Sequence, residues 1–231
     1  MLRFPIRSLA LLAAVVSLGA CETTERVADT AAEGIEDGAE AVAGVAVDVA
    51  DAVADAAGTV YDTAEDVFTD DPDATAVALV RPTSAPGASA QGTVRFRESG
   101  DGLTVAVSLQ GLTPGEHGFH VHTNPSCDAA DSDGDGRPDP AGAADGHWDP
   151  LSTMDHGAPN NPLEAKHVGD FGNVTVGADG TVETTVTVPN VTDEYAMAGH
   201  AVVVHSGTDD LETGPSGDSG TPMGCGVIEG R

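Results

Sequence analysis

Gly118-Phe119-His120-Val121-His122 is the stretch whose reading decides what this chain can be. Successive side chains of a β-strand point to opposite faces, so His120 and His122 share a face, roughly 7 Å apart along the strand. Two imidazoles at that spacing can lean onto one metal ion, and neutral imidazole suits copper and zinc. Taken alone, the run is equally a strand carrying two surface histidines. The surrounding chain has to decide.

Outward from this run, the sequence has the texture of strands and turns from residue 74 on. Short runs of strand length with recurrent valine lie at 75–81, 92–98, 103–112, 118–122, 172–176, 181–188, 201–206 and 225–229. Turns punctuate them at Ser99-Gly100-Asp101-Gly102 and Ala178-Asp179-Gly180. About eight short strands with Gly/Asp turns predict an all-β sandwich or barrel. Residues 74–231 are enough chain to bury a proper core. The sequence has no dinucleotide fingerprint, P-loop or serine elbow, which removes support for nucleotide chemistry and serine hydrolysis.

The chain before residue 74 is of another kind. Residues 1–21 read as an export signal: Arg3 and Arg7, an apolar run over 9–16, then Leu18-Gly19-Ala20-Cys21. That ending resembles the lipobox of bacterial lipoproteins, which implies a lipidated Cys21 and a protein anchored in the bacterial cell envelope. Residues 22–73 hold sixteen acidic side chains against the single Arg26. Val42, Val45, Val49, Val53, Ala56, Val60, Ala64 and Val67 recur in an eleven-residue helical period. The stripe is thin, so a helical or partly disordered tether is expected, with a coiled-coil oligomerisation segment as the rival. The formal charge of −29 argues against nucleic-acid partners and favours solubility. With Cys21 assigned to lipid, Cys127 and Cys225 remain as a candidate pair, and export makes a disulfide chemically plausible.

All eight histidines lie between positions 117 and 205. His147, His156 and His167, with Asp170, fall in the long segment between 122 and 172; so long a loop without strands is normally functional or disordered. Three histidines and an aspartate match a tetrahedral zinc site in composition. His205 ends the run Ala201-Val202-Val203-Val204, so a strand holds it.

These residues resemble the copper–zinc superoxide dismutases. The resemblance rests on 111–122 (Gly-Leu-Thr-Pro-Gly-Glu-His-Gly-Phe-His-Val-His), on Gly146-His147-Trp148-Asp149-Pro150, on 167–173 (His-Val-Gly-Asp-Phe-Gly-Asn), on Val203-Val204-His205 and on Cys225-Gly226-Val227-Ile228. It covers roughly 74–231 and implies an eight-stranded Greek-key barrel. It further implies copper on His120, His122, His147 and His205, and zinc on His147, His156, His167 and Asp170, with His147 bridging and catalytic. Asp209 matches the family's carboxylate that links ligands of the two metals, and Cys127 and Cys225 match its disulfide. The implied substrate is superoxide, converted to oxygen and hydrogen peroxide. Oligomeric state is not readable from the chain.

Two departures stand out. The family keeps an arginine three residues before the second disulfide cysteine, and here that position is Pro222. The segment 206–224 has no Lys or Arg, so weak steering of an anion and a slower enzyme are expected. The second departure is an insert, Asp131-Ser132-Asp133-Gly134-Asp135-Gly136-Arg137-Pro138-Asp139. Asp131, Asp133, Asp135 and Asp139 with Gly136 resemble a calcium loop of the thrombospondin type 3 kind, although Gly142 stands where an EF-hand has its last acid. The alternative is a solvated acidic loop. Arg137 is the nearest candidate to replace the missing arginine.

Overall fold

The computed structural model of the chain describes residues 53–54, 60–99, 102–192 and 194–231, all within one compact unit, Ala52–Arg231. The export signal with Cys21, most of the acidic segment, and Gly100 and Asp101 of the first turn lie outside the described residues. The unit opens with a short antiparallel pair, β1 (Val53–Ala54) and β2 (Val60–Tyr61). Helix α1 (Ala64–Asp70) follows. The eleven-residue stripe predicts one helix through this region, yet Val53 and Val60 sit in paired strands. Helix α1 is capped at Thr63, whose hydroxyl accepts from the Asp66 amide while the Asp66 carboxylate accepts from the Thr63 amide. This reciprocal cap satisfies two amides that a helix start leaves open.

α1 lies on the outside of a larger sheet. Val67 and Phe68 pack with Tyr61, Ala64, Ala74 and Val77. Three arginines pin the segment. Arg95 donates to Tyr61 and Asp70, Arg97 grips Asp71 with two bonds of 2.8 and 2.9 Å, and Arg231 donates to the Phe68 and Pro72 carbonyls. The end of the acidic segment therefore folds onto the domain.

Eight strands form that sheet: β3 (Ala76–Pro82), β4 (Gln91–Ser99), β5 (Gly102–Gln110), β6 (Gly115–His122), β7 (Asp170–Val176), β8 (Thr181–Pro189), β9 (Ala201–His205) and β10 (Pro222–Gly230). Their order is β7-β6-β9-β10-β3-β4-β5-β8, with every pairing antiparallel. β5 and β6 are consecutive in sequence but far apart in this order, which is the Greek-key crossover. The two outer strands, β7 and β8, are joined by a tight turn closed by the Gly177 amide on the Thr181 carbonyl, so the sheet curls into a nearly closed barrel. The expected all-β barrel of eight strands is what the chain forms.

Period-two alternation fills the barrel. Leu103, Val105, Val107 and Leu109 of β5 meet Phe96 and Val94 of β4 and Phe119 and Val121 of β6 in one core. β9 is buried on both faces. Val202 and Val204 point into the barrel, whereas Ala201 and Val203 lie outside beneath Ala141, Ala144 and Cys225. The loop after β6 supplies that outer cover, and the Cys127–Cys225 disulfide ties it to β10 across a separation of 98 residues. Closing so long a loop removes much freedom from the unfolded chain. Replacing both cysteines by serine should lower unfolding free energy by about 2–5 kcal/mol, measured by urea titration of metal-free protein under matched conditions.

Candidate metal centre

The pleat of β6 puts Phe119 and Val121 in the barrel and His120 and His122 outside. His120 lies opposite Val203 on β9 and opposite Asp170 on β7. His205 ends β9 on that same outer face, and the loop carrying His147 is stitched back to β6. His122 pairs with His147, the Trp148 amide donates to the Val121 carbonyl, and the Val121 amide donates to Gly169. At Gly169 any β-carbon would collide with the Val121 carbonyl oxygen, so only glycine lets the loop run this close.

His120, His122, His147 and His205 are all buried. In each, one ring nitrogen donates to an oxygen: His120 Nε2 to Asp209 at 2.7 Å, His122 Nδ1 to the Asp145 carbonyl, His147 Nδ1 to Asp170 at 2.7 Å, and His205 Nδ1 to the Gly220 carbonyl at 2.9 Å. The other nitrogen of each, His120 Nδ1 and Nε2 of the remaining three, is buried without a partner. Since the bonded nitrogen carries the proton, the orphan is a lone pair. Four ligand atoms of this set lie within 4.8 Å of one another. Four unpaired imidazole lone pairs converging in a buried site are what a soft-to-borderline cation needs.

The second set shares His147. Asp170 Oδ1 accepts from Nδ1 of His147, His156 and His167 at 2.7, 3.0 and 3.2 Å, and Oδ2 accepts from the His167 and Gly157 amides. Three donors crowded onto one buried carboxylate oxygen have the composition and closeness of a tetrahedral zinc site. His147 faces the first set with Nε2 and this one with Nδ1. Asp209 spans both sets, accepting from His120 Nε2 and from His156 Nε2 at 2.8 Å.

Burial pushes the His120 and His122 imidazoles well below their ordinary pKa of 6.5, with like charge on His147 adding to it. Burial also brings His205 down to about 4 and lowers His147. The first set is therefore neutral at physiological pH. Burial opposes charge on His156 too, but hydrogen bonds to Asp170 and Asp209 outweigh it and raise the ring to about 9. Burial would raise the Asp170 carboxyl, yet its three imidazole donors hold it far below the usual carboxylate range.

The structure brings together each of the seven residues expected to hold copper and zinc, and adds three that sequence reasoning missed. Asn173 makes a reciprocal amide pair with the Asp209 backbone, both bonds 2.8 Å. Lys166 is fully buried, and its ammonium donates to the His167 and Asp170 carbonyls, holding the turn that presents both residues. Gly217 leaves room for Asp209, whose carboxylate a β-carbon there would strike. Asn173 closes the 167–173 motif without showing what it holds, Gly217 carries no signal outside the fold, and a lysine before His167 reads as surface. His117 bridges the Thr113 and His205 carbonyls and is structural.

In the acidic insert, Asp131, Asp133 and Asp139 come together, but Asp135 does not join them and instead accepts from the Arg137 amide. Loop amides already cap these carboxylates: Gly134 and Gly136 on Asp131, Asp135 on Asp133, Ser132 on Asp139. A cavity of about 330 Å³ opens onto His122 and is lined also by Ser132, Asp139, Asp145, Thr221 and Pro222. Arg137 is exposed and does not line it. A larger cavity, about 630 Å³, lies on the other side of the disulfide beside α1 and β3, away from the histidines.

Residues 90–228 match the family model described as copper/zinc superoxide dismutase. The chain belongs to that family. The copper–zinc superoxide dismutase of Haemophilus parainfluenzae is 41% identical over 140 residues, spanning 60% of this chain and 73% of that protein. The Brucella abortus protein of the same name is 41% identical over 60% of this chain and 78% of its own. A solved Cu/Zn superoxide dismutase from Brucella abortus superposes with a TM-score of 0.59 and 37% identity, covering 66% of this chain and 98% of its own. The family implies copper and zinc, and the two histidine clusters fit them.

The ionisations give opposite slopes on either side of neutrality for metal-free protein. His205 binds its proton less readily folded than unfolded, so its contribution is complete above pH 6.5 and is lost as pH falls toward 4. His156 does the reverse: its contribution is complete below 6.5 and is lost as pH rises through 9. Metal-free protein should therefore melt highest near pH 6.5 to 7, and a His156→Gln variant should flatten the alkaline limb. Thermal melts from pH 4 to 10 check this.

Proposed function

We propose that the chain dismutes superoxide to oxygen and hydrogen peroxide, with copper held by His120, His122, His147 and His205 and zinc held by His147, His156, His167 and Asp170. The observation that carries the reading is the convergence of four buried, unpartnered imidazole nitrogens that share His147 with a second histidine–aspartate set. When bound, copper supplies one-electron transfer in both directions, while zinc, which has no redox chemistry of its own, supplies a fixed positive charge.

The remaining work falls to the chain. Burial keeps the four imidazoles neutral, so no proton need be expelled before the lone pairs can bind. His147 alone faces both sets, so its Nε2, whenever copper does not occupy the lone pair, is the atom that would hold a proton beside the substrate. Asp209 fixes the planes of His120 and His156 together, and outer partners of this kind set ligand orientation and basicity. Asn173 in turn holds Asp209.

In this reading Pro222, in the position of the family's arginine, makes the enzyme slower than its relatives, because electrostatic guidance changes association rates by roughly 10–10³-fold. Cys21 carries lipid, and the domain protects the bacterial envelope from oxidants on the far side of the acidic segment. Among the described residues no helix is long and apolar enough to cross a membrane. Asp131, Asp133 and Asp139 are the carboxylates that a calcium ion would find on the insert. An alternative, a lipoprotein that buffers or delivers copper and zinc without significant turnover, is favoured by the carboxylate-lined mouth of the cavity over His122.

Metal analysis of reconstituted protein should find one copper and one zinc per chain, together with dismutase activity. His147→Ala should lower both occupancies and abolish activity. A fully loaded chain with no activity above free copper would establish the buffering alternative. The rate should change little, or rise, as salt is added; rates near the diffusion limit that fall steeply with salt would refute the slow-enzyme reading.

A further inference from the structure

The cavity over His122 has an electrostatic character that follows from where the chain spends its cations. Six of the nine Lys and Arg residues lie among the described residues. Arg95, Arg97 and Arg231 hold the α1 segment against the barrel. Lys166 is buried behind the zinc-type set, Arg81 lines the cavity on the other side of the disulfide, and Arg137 stands exposed on the insert. None of the six lines the cavity over His122, whose only charged lining residues are Asp139 and Asp145. His122, one of the four buried imidazoles of the first set, lines it.

Residue 222 is the position from which a side chain could offset these carboxylates. Pro222 pairs in register with His205 at the start of β10, and its carbonyl is fixed by the Thr83 hydroxyl at 2.7 Å. It is held beside the first histidine set with neither charge nor donor. Charges of one sign around an opening raise the local potential and slow the entry of ions of that sign. The chain's net charge of −29 adds to it.

We propose that this mouth selects by charge, admitting neutral small molecules and rejecting anions, with Asp139, Asp145 and Pro222 as the determinants. The inference rests on the copper site proposed above. Within that reading superoxide, itself an anion, enters more slowly than an uncharged molecule of its size.

The test uses the full chain loaded with copper and zinc, with copper occupancy confirmed by metal analysis and Cu(II) resonance. Azide and, separately, neutral imidazole are titrated against the visible copper band at low and high ionic strength. Azide affinity should rise with salt as repulsion is screened, while imidazole affinity stays constant. The Asp139→Asn/Asp145→Asn pair, and independently Pro222→Arg, should tighten azide on the order of tenfold at low salt and leave imidazole unchanged. A loaded chain whose azide affinity falls with salt, or whose variants leave azide unmoved, overturns the charge selection alone. A chain that takes up no copper overturns the copper reading, and the inference with it.

Discussion

The pleat of β6 is the constraint from which the rest follows. Phe119 and Val121 have no exposure and belong to the barrel core, so His120 and His122 must face outward. A shift of register by one residue would put two imidazoles in an apolar interior and two large hydrophobes in the metal centre, and both changes are costly. The centre is therefore assembled on the outer wall of the barrel, where rigid strands hold His120, His122 and His205 and loops bring the remaining histidines to them.

Loops are poor at fixing geometry, and this chain compensates with stitching. The disulfide, the Ala141/Ala144 cover on Ala201 and Val203, and the backbone bonds through Trp148 and Gly169 press one loop onto the wall. Asp209 and Asn173 lock the other. Asp170 stands at the meeting point: it starts β7, accepts from three imidazoles and two amides, and has the Lys166 ammonium behind it. Burying that carboxylate is tolerable only because every partner is in place.

The same domain distributes charge unevenly. Arg95, Arg97 and Arg231 are committed to holding α1 and the chain end, while the opening over His122 keeps carboxylates. That asymmetry separates two properties the family relationship would otherwise join, the ability to bind the metals and the ease with which an anion reaches them.

Much of this was legible in the sequence. Eight strands could be read from valine runs and Gly/Asp turns because strand periodicity is local. His120 and His122 declared their common face because a two-residue spacing in a strand leaves no alternative. The loop set and His205 could be nominated from their residue types and placing, and the resemblance divided them between two metals. Composition alone could not say that His147 faces both sets, because a bridging role is a matter of which nitrogen points where. The stripe over 42–67 misled at Val53 and Val60, since apolar periodicity reports only that a face is buried and not which partner buries it. By itself the sequence determined the strands, the shared face of two histidines and the donor inventory. Only the tertiary structure decided that the lone pairs converge, that Lys166 is buried beneath the zinc-type set, and that no cation lines the cavity over His122, because those depend on contacts between segments tens of residues apart.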